Sequence, residues 1–340
     1  MSAQIFPPEI LHLFLDEFGS AIESPQSQER LDALLDIFNA NPNIARHIRS
    51  FTVKHQIYYE CLPAVFRQLC RLQEFRWMGR PTFSHTLTAI TLSVSSICSD
   101  LPHLTVLHFE NMMGFPLSLF SSCCHLESLT LVMVAFAKIR PETLSSSLFP
   151  SLKKLSISGP WTAGDEAVGI IMTHVAPTLT TLILSDLPEN NAMFFLKLKS
   201  TIVFPVLETI QVSLTTHLYD QNSVPTLLSR FLEYSIPMLA QIQIEIFSPY
   251  SYTPLHIQHS LAKEILLPID KILSSPRYRA LKTLDLIFVP PLLSLDSLEV
   301  RMLLNEIFPA ALSRNQTGMK VTPRYPQMPY DACIQVHFVF

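Results

Sequence analysis

Apolar positions along this chain recur in one phrase. An apolar residue is followed by two variable residues, a second apolar residue, one variable residue and a third apolar residue. With a proline two places ahead, the phrase stands at Pro102/Leu104/Leu107/Phe109, Pro150/Leu152/Leu155/Ile157, Pro177/Leu179/Leu182/Leu184, Pro205/Leu207/Ile210/Val212 and Pro237/Leu239/Ile242/Ile244. Without the proline it returns at Ile48/Phe51/Val53, Leu72/Phe75/Trp77, Leu126/Leu129/Leu131 and Leu281/Leu284/Leu286. The second and third positions are two apart and so share one face of a strand, while the first turns inward where the strand begins. Between phrases the period lengthens. Gly164–Val175, Val224–Glu233 and Leu255–Leu266 place apolar residues three and four apart, the spacing of a helix with one buried stripe. Strand, helix and strand running in one direction predict an α/β chain of parallel strands, each repeat packing on its neighbours. Cys333–Phe340 alternates apolar and polar residues and is expected to be the last strand.

The prolines fit this scheme. Proline lacks an N–H and disfavours helical geometry in the residue before it, so one placed ahead of the phrase ends a helix and starts a strand. That accounts for much of the total of 26 prolines, and only 7 glycines argue against a glycine-turned all-β fold. The phrase resembles the strand core of a leucine-rich repeat, whose period is roughly 20 to 29 residues. Here the first apolar positions are separated by as little as 22 residues, Leu104 to Leu126, and as much as 42, Leu239 to Leu281. The resemblance implies that residues 46–340 form an irregular leucine-rich-repeat solenoid, a horseshoe with parallel strands on the concave face and helices on the convex face. The usual asparagine after the strand is replaced by Met112, Val134, Pro160 and Leu187. Without that side chain the turn loses an internal hydrogen-bond partner, so irregular curvature is expected.

Residues 1–45 have a different character. In Phe6–Phe18, Pro7 and Pro8 stand where a helix can start, and Ile10, Leu11, Phe14, Leu15 and Phe18 form an apolar stripe. This segment resembles the opening helix of an F-box, and Arg30–Phe51 resembles the stretch that in many fungal F-box proteins leads into the repeats. Only Gly19–Glu29 stands where that family has its middle helix pair. The resemblance implies a substrate receptor of an SCF-type ubiquitin ligase that meets the adaptor subunit through Pro7, Pro8, Ile10, Leu11 and Phe14. The alternative is a helical cap on the first strand of a repeat scaffold with no ubiquitin role, since exposed ends of repeat arrays need caps.

Composition narrows the partners. Charged residues are 15% and hydrophobic residues 48%, against about 25% charged in an average soluble protein, so burial is extensive. No apolar run approaches the roughly 18 residues of a membrane span. A net charge of -4 supplies no basic field for nucleic acid. The opening Met1–Glu9 has no signal-peptide pattern, which points to the cytoplasm or nucleus, and the 6 scattered cysteines are expected to be reduced and mostly buried.

Catalytic motifs find no support. Gly159 and Gly164 have phosphate-loop spacing, but Asp165 and Glu166 follow where lysine and a hydroxyl are needed. Cys123-Cys124-His125 and His256/His259 lack further ligands at zinc spacing. The expectation is a non-enzymatic protein with no cofactor or metal, which recognises a protein partner on the sheet. If the apolar pairs point inward, the intervening Lys54, Arg76, His108, Thr130, Ser156, Ile183, Gln211, Gln243 and Asp285 form a row across the concave face. Lys54 and Arg76 stand toward one end, with Glu245 and Asp285 toward the other. That distribution suggests a partner bound lengthwise with complementary charge at its ends.

Overall fold

The computed structural model describes residues 27–54, 61–79, 101–137, 148–159, 165–185, 202–215, 236–247, 278, 280–289, 319–324 and 333–339. The chain divides into two units, Met1–Ser151 and Leu152–Phe340. Both are α/β, and their parallel strands pair in chain order, as in a solenoid.

In the first unit α1 (Ser27–Ala40) and α2 (Pro42–Ala45) precede β1 (Ser50–Lys54), and α3 (Leu62–Gln68) leads into β2 (Glu74–Met78). Next come β3 (Val106–Glu110), a 3-10 turn (Leu117–Ser122) and β4 (Ser128–Val132). The four strands are parallel and in register: Phe51 stands beside Phe75, Phe75 beside Leu107 and Leu107 beside Leu129. The three apolar positions of each phrase are buried, from Leu72, Phe75 and Trp77 to Leu126, Leu129 and Leu131. Trp77 is thus a core residue, as its place in the phrase predicts. Aromatic rings tie these layers together. Contacts run from Phe51 to Phe66 (6.0 Å), Phe75 (5.1 Å), Phe109 (6.5 Å), Phe115 (4.9 Å), Phe120 (5.2 Å) and Phe149 (4.8 Å), mostly edge-on or tilted. Such pairs add about 0.5–1.5 kcal/mol each beyond the area they bury.

The second unit contains β5 (Lys154–Ser158), α4 (Asp165–Val175), β6 (Thr181–Ser185), β7 (Thr209–Thr215), β8 (Gln241–Phe247) and β9 (Thr283–Val289). Strands β5 to β9 are parallel and in register. Their apolar ladder is aliphatic: Leu155, Leu182, Ile210, Ile242 and Leu284 are each fully buried, and so are Ile157, Leu184, Val212, Ile244 and Leu286. Helix α4 buries Val168, Ile171, Met172 and Val175, the predicted stripe, and ends two residues before Pro177. The other two expected helices, Val224–Glu233 and Leu255–Leu266, lie outside the described residues. The final strand, β11 (Cys333–Val339), is antiparallel to β9, and β10 (Met319–Arg324) is antiparallel to β11. Nothing in the phrase pattern predicts β10, which carries Pro323 and stands last in the strand order. Proline there has a physical logic, because only an edge strand tolerates a missing ladder donor.

Within each unit a shared carbonyl joins successive repeats. In the first unit the carbonyl of Arg49 accepts from both Gln73 N (2.8 Å) and Glu74 N (2.9 Å), that of Gln73 from Thr105 N and Val106 N, and that of Thr105 from Glu127 N and Ser128 N. In the second unit Lys153 O accepts from Thr180 N and Thr181 N, Thr180 O from Glu208 N and Thr209 N, Glu208 O from Ala240 N and Gln241 N, and Ala240 O from Lys282 N and Thr283 N. The donors are the two variable residues of the phrase. Their backbone makes the contact at every one of these junctions, and at two of them a side chain joins it: Thr105 Oγ1 also donates to Gln73 O at 3.3 Å and Thr180 Oγ1 to Lys153 O at 3.0 Å. The prolines sit just ahead: Leu104 N donates to Leu101 O and Leu239 N to Ile236 O, so Pro102 and Pro237 occupy the second position of tight turns, where their fixed φ fits.

The turns after the strands replace the missing asparagine in two ways. Met112 and Val134 are buried as apolar plugs. The turn backbones bond to each other, with Asn111 N donating to Val132 O, Ala135 N to Met112 O and Phe115 N to Ala135 O. Asn111, Met133 and Gly159, each directly after its strand, take positive φ values of 55, 52 and 96°. Pro160 and Leu187 lie outside the described residues.

Among the described cysteines Cys70 and Cys124 are free thiols, and both are exposed. Cys123 is buried and disulfide-bonded, where a reduced thiol was expected. Irregular cysteine spacing carries no signal of such a bond.

The shared carbonyls make a test that separates backbone from side chain. Glu208 is exposed, so Glu208→Ala should change stability by less than about 0.5 kcal/mol. Glu208→Pro removes the N–H that bonds Thr180 O and should cost about 3 kcal/mol. Urea denaturation of both variants reads the difference; equal midpoints would show that the inter-repeat carbonyls do not hold the array.

Candidate functional site

On each parallel strand the residues between the buried positions emerge on the opposite face of the sheet. In-register pairing lines them up into rows. In the first unit the central row is Thr52, Arg76, His108 and Thr130. Lys54, expected in this row, stands one step further along β1 beside Met78. The phrase Phe51/Val53 encloses Thr52, so the corrected position was available from the spacing alone.

The first unit's face is charged. Arg76 is bound to its own strand: Nε donates to Glu74 Oε1 at 2.7 Å and Nη2 lies 2.6 Å from the same oxygen. With the Arg76 side chain 51% exposed, such a pair contributes at most about 1 kcal/mol to stability, but it neutralises the charge expected to steer a partner. His108, next to Arg76 in register, is half-buried, its side chain 23% exposed. Its Nε2 is inaccessible and lacks a hydrogen-bond partner. Glu110 Oε2 is 3.7 Å away, close enough for Coulombic attraction and too long for a hydrogen bond. Burial lowers the His108 pKa below its ordinary value of 6.5, and Arg76 adds to the lowering, while Glu110 and Glu74 oppose it. The other Glu110 oxygen accepts from Asn111 Nδ2 at 3.3 Å, and that same nitrogen donates to Gly79 O at 3.1 Å. A Cβ on Gly79 would meet Asn111 O at 2.8 Å and Glu110 O at 3.0 Å, so the backbones of β2 and β3 approach closely here because the residue has no side chain.

The second unit's face differs. Its central row is Ser156, Ile183, Gln211, Gln243 and Asp285, in register across β5 to β9. On one side lie Thr181, Thr209, Gln241 and Thr283, and on the other Ser158, Ser185, Ser213 and Glu245. From Ser156 to Gln243 the row is half-buried, a surface of hydroxyls and amides with Ile183 near its centre. Glu245 pairs with Ser213 and so lies one row from Gln243.

Asp285 does not belong to an open face. It is only 5% exposed, and Gln241 Nε2 lies 3.4 Å from its Oδ2. Residue alternation identifies the side of a strand and not how deeply that side is covered. Strand β9 is flanked by β8 and by the antiparallel β11, which brings His337 opposite Asp285 in the register. With Asp285 buried and Arg76 paired, the two ends of the expected charge axis lose one exposed charge each.

Glu74, Glu110, Asn111 and Thr52 were not anticipated. Glu110 could have been found by carrying the alternation one step beyond Phe109. Pro7, Pro8, Ile10, Leu11 and Phe14 lie outside the described residues. Among the described residues there is no group of three or more potential metal ligands, and no helix is long and apolar enough to cross a membrane. Met113, next to the buried Met112, is 52% exposed.

His108 generates a pH prediction. Its folded-state pKa is depressed, so the stability it contributes is present above the unfolded value of 6.5 and is lost as pH falls through the folded value. Lowering pH from about 7.5 to about 5.5 should reduce the urea midpoint of the natural chain more than that of His108→Gln. Equal reductions would rule out His108 as the source.

Compared with known proteins, the chain matches no protein-family model, and no curated protein matches it either.

Proposed function

We propose that this chain is a non-enzymatic protein-recognition module of leucine-rich-repeat type, which binds a protein partner on the polar face of its parallel strands. In this reading the strand face is the concave side of a horseshoe, and side chains from successive strands meet one ligand together. The observation that carries the proposal is the combination of a sealed apolar ladder on one face and half-exposed Ser156, Ile183, Gln211 and Gln243 in register on the other. Repetition presents the same kind of side chain at each strand spacing, about 4.8 Å. That suits an extended protein surface more than a small molecule, which needs a concave pocket with convergent polar groups.

A second reading makes the module a substrate receptor of an SCF-type ubiquitin ligase. It is favoured by the F-box-like Phe6–Phe18 at the head of the repeats. The adaptor subunit would then meet Pro7, Pro8, Ile10, Leu11 and Phe14, and the strand face would hold the protein to be modified. Without that adaptor contact the same chain is a repeat scaffold, with residues 1–45 as its helical cap. Neither reading involves a cofactor, nucleic acid or a membrane, and both place the chain in the cytoplasm or nucleus.

The face is tested by affinity capture with the natural chain, followed by Ile183→Lys/Gln211→Lys as a pair and Arg67→Glu as a control away from the strands. The paired variant should lose captured partners by at least about tenfold, because two adjacent cations would be desolvated at the contact, while Arg67→Glu retains them. Full retention by a folded paired variant would move the binding surface off this face. The ligase reading is tested separately by pull-down with the adaptor: binding abolished by Leu11→Asp supports it, and failure of the natural chain to bind removes it.

A further inference from the structure

We propose that His108, Glu110 and Asn111 form a proton-driven latch at the end of β3. A proton gained by the His108 ring makes Nε2 a charged donor, which draws the Glu110 carboxylate away from Asn111 Nδ2 and loosens the side chain that ties β3 to the end of β2 at Gly79. The device does not depend on the proposed function.

The geometry supplies each part. His108 Nε2 is buried without a hydrogen-bond partner, and the nearest acceptor, Glu110 Oε2, is 3.7 Å away. A buried polar atom left in this way demands an explanation. In the neutral ring neither tautomer satisfies it: a proton on Nε2 has no acceptor within hydrogen-bond distance, and a lone pair has no donor. Protonation changes the balance by making the nitrogen a charged donor facing a carboxylate, and charge-assisted hydrogen bonds are short and about twice as strong as neutral ones. Closing 3.7 Å to such a bond requires Glu110 to turn. Its other oxygen is the acceptor of the 3.3 Å bond from Asn111 Nδ2, and that nitrogen also holds Gly79 O. Asn111 itself has a positive φ, so its backbone is already in a conformation that needs local support.

The charged neighbours bias the latch without replacing it. From β2, Arg76 stands beside His108 in register and opposes the proton, while Glu74 favours it but is engaged by Arg76. From β4, Thr130 is the register neighbour, with Ser128 and Val132 at the flanking positions, none of them charged. Within β3 Glu110 is the one carboxylate. Burial sets the pKa of His108 below 6.5, so the latch stays closed near neutral pH and opens under mild acid. The strands beneath it remain paired, because the backbone bonds Gly79 N to Glu110 O and Asn111 N to Val132 O do not involve the titrating groups.

The full chain, labelled with nitrogen-15 in histidine and asparagine, tests this by NMR titration from about pH 7.5 to about pH 5. The His108 ring and the Asn111 side-chain amide should shift with one shared midpoint below 6.5. Glu110→Gln, which removes the negative charge that favours the proton, should move the His108 midpoint lower still. In His108→Gln the Asn111 amide should stop responding to pH over this range. The latch is overturned if His108 titrates while the Asn111 amide stays still, if His108 titrates at or above 6.5, or if the Asn111 amide shifts unchanged in His108→Gln.

Discussion

The bond that everything else in both units depends on is a backbone carbonyl shared by two N–H groups at the start of β2 to β4 in the first unit and of β6 to β9 in the second. It fixes the register of one strand on the next, because the two donors are consecutive residues with no freedom to slip. Register then decides which side chains become neighbours. A slip of one residue would send the apolar ladder to the polar face, so register and burial enforce each other. In the second unit the result is a ladder of Leu155, Leu182, Ile210, Ile242 and Leu284 with no measurable exposure. Removing a leucine from such a site costs about 2–5 kcal/mol in other proteins, which shows how strongly the arrangement is held.

This also explains why so little of the chain needs to repeat. Only the three apolar positions and the frequent proline recur, since one set fills the core and the other shapes the turn. The residues between them contribute through backbone groups that every amino acid except proline possesses. The strand face is therefore free to carry different chemistry in each unit without cost to the fold. In the first unit it carries Glu74, Arg76, His108 and Glu110; in the second it carries mostly serine, threonine and glutamine.

What could be read from the sequence divides along the same line. The strands of the phrase, the burial of Trp77 and Leu182, and the stripe of α4 followed from period and proline placement alone. Lys54 stands beyond the central row, because the phrase Phe51/Val53 encloses Thr52 and it is Thr52 that pairs with Arg76. Asp285 was assigned to the correct side of its strand and the wrong depth, because burial at that position depends on packing that no local period encodes. The strand β10 was missed for a related reason: Met319–Arg324 pairs with β11 through long-range backbone contacts and contains Pro323, which local rules count against a strand. The ion pair of Arg76 with Glu74 lies only two residues apart, yet spacing could not show that both side chains turn toward each other.

The two faces imply different modes of contact. A charge-bearing face responds to salt and pH and chiefly affects how fast and with whom a partner associates. A hydroxyl and amide face offers donors and acceptors whose value depends on local fit, since each net hydrogen bond contributes only about 1 kcal/mol and an imperfect one costs more than it returns. A partner spanning Ser156 to Gln243 would therefore be chosen by matched hydrogen bonds around the apolar contact at Ile183. Contacts at His108 would depend on its protonation, and those at the charged Arg76 and Glu110 on salt. Because both faces rest on ladders held by the same carbonyl bonds, either can change residue by residue while the array beneath it stays the same.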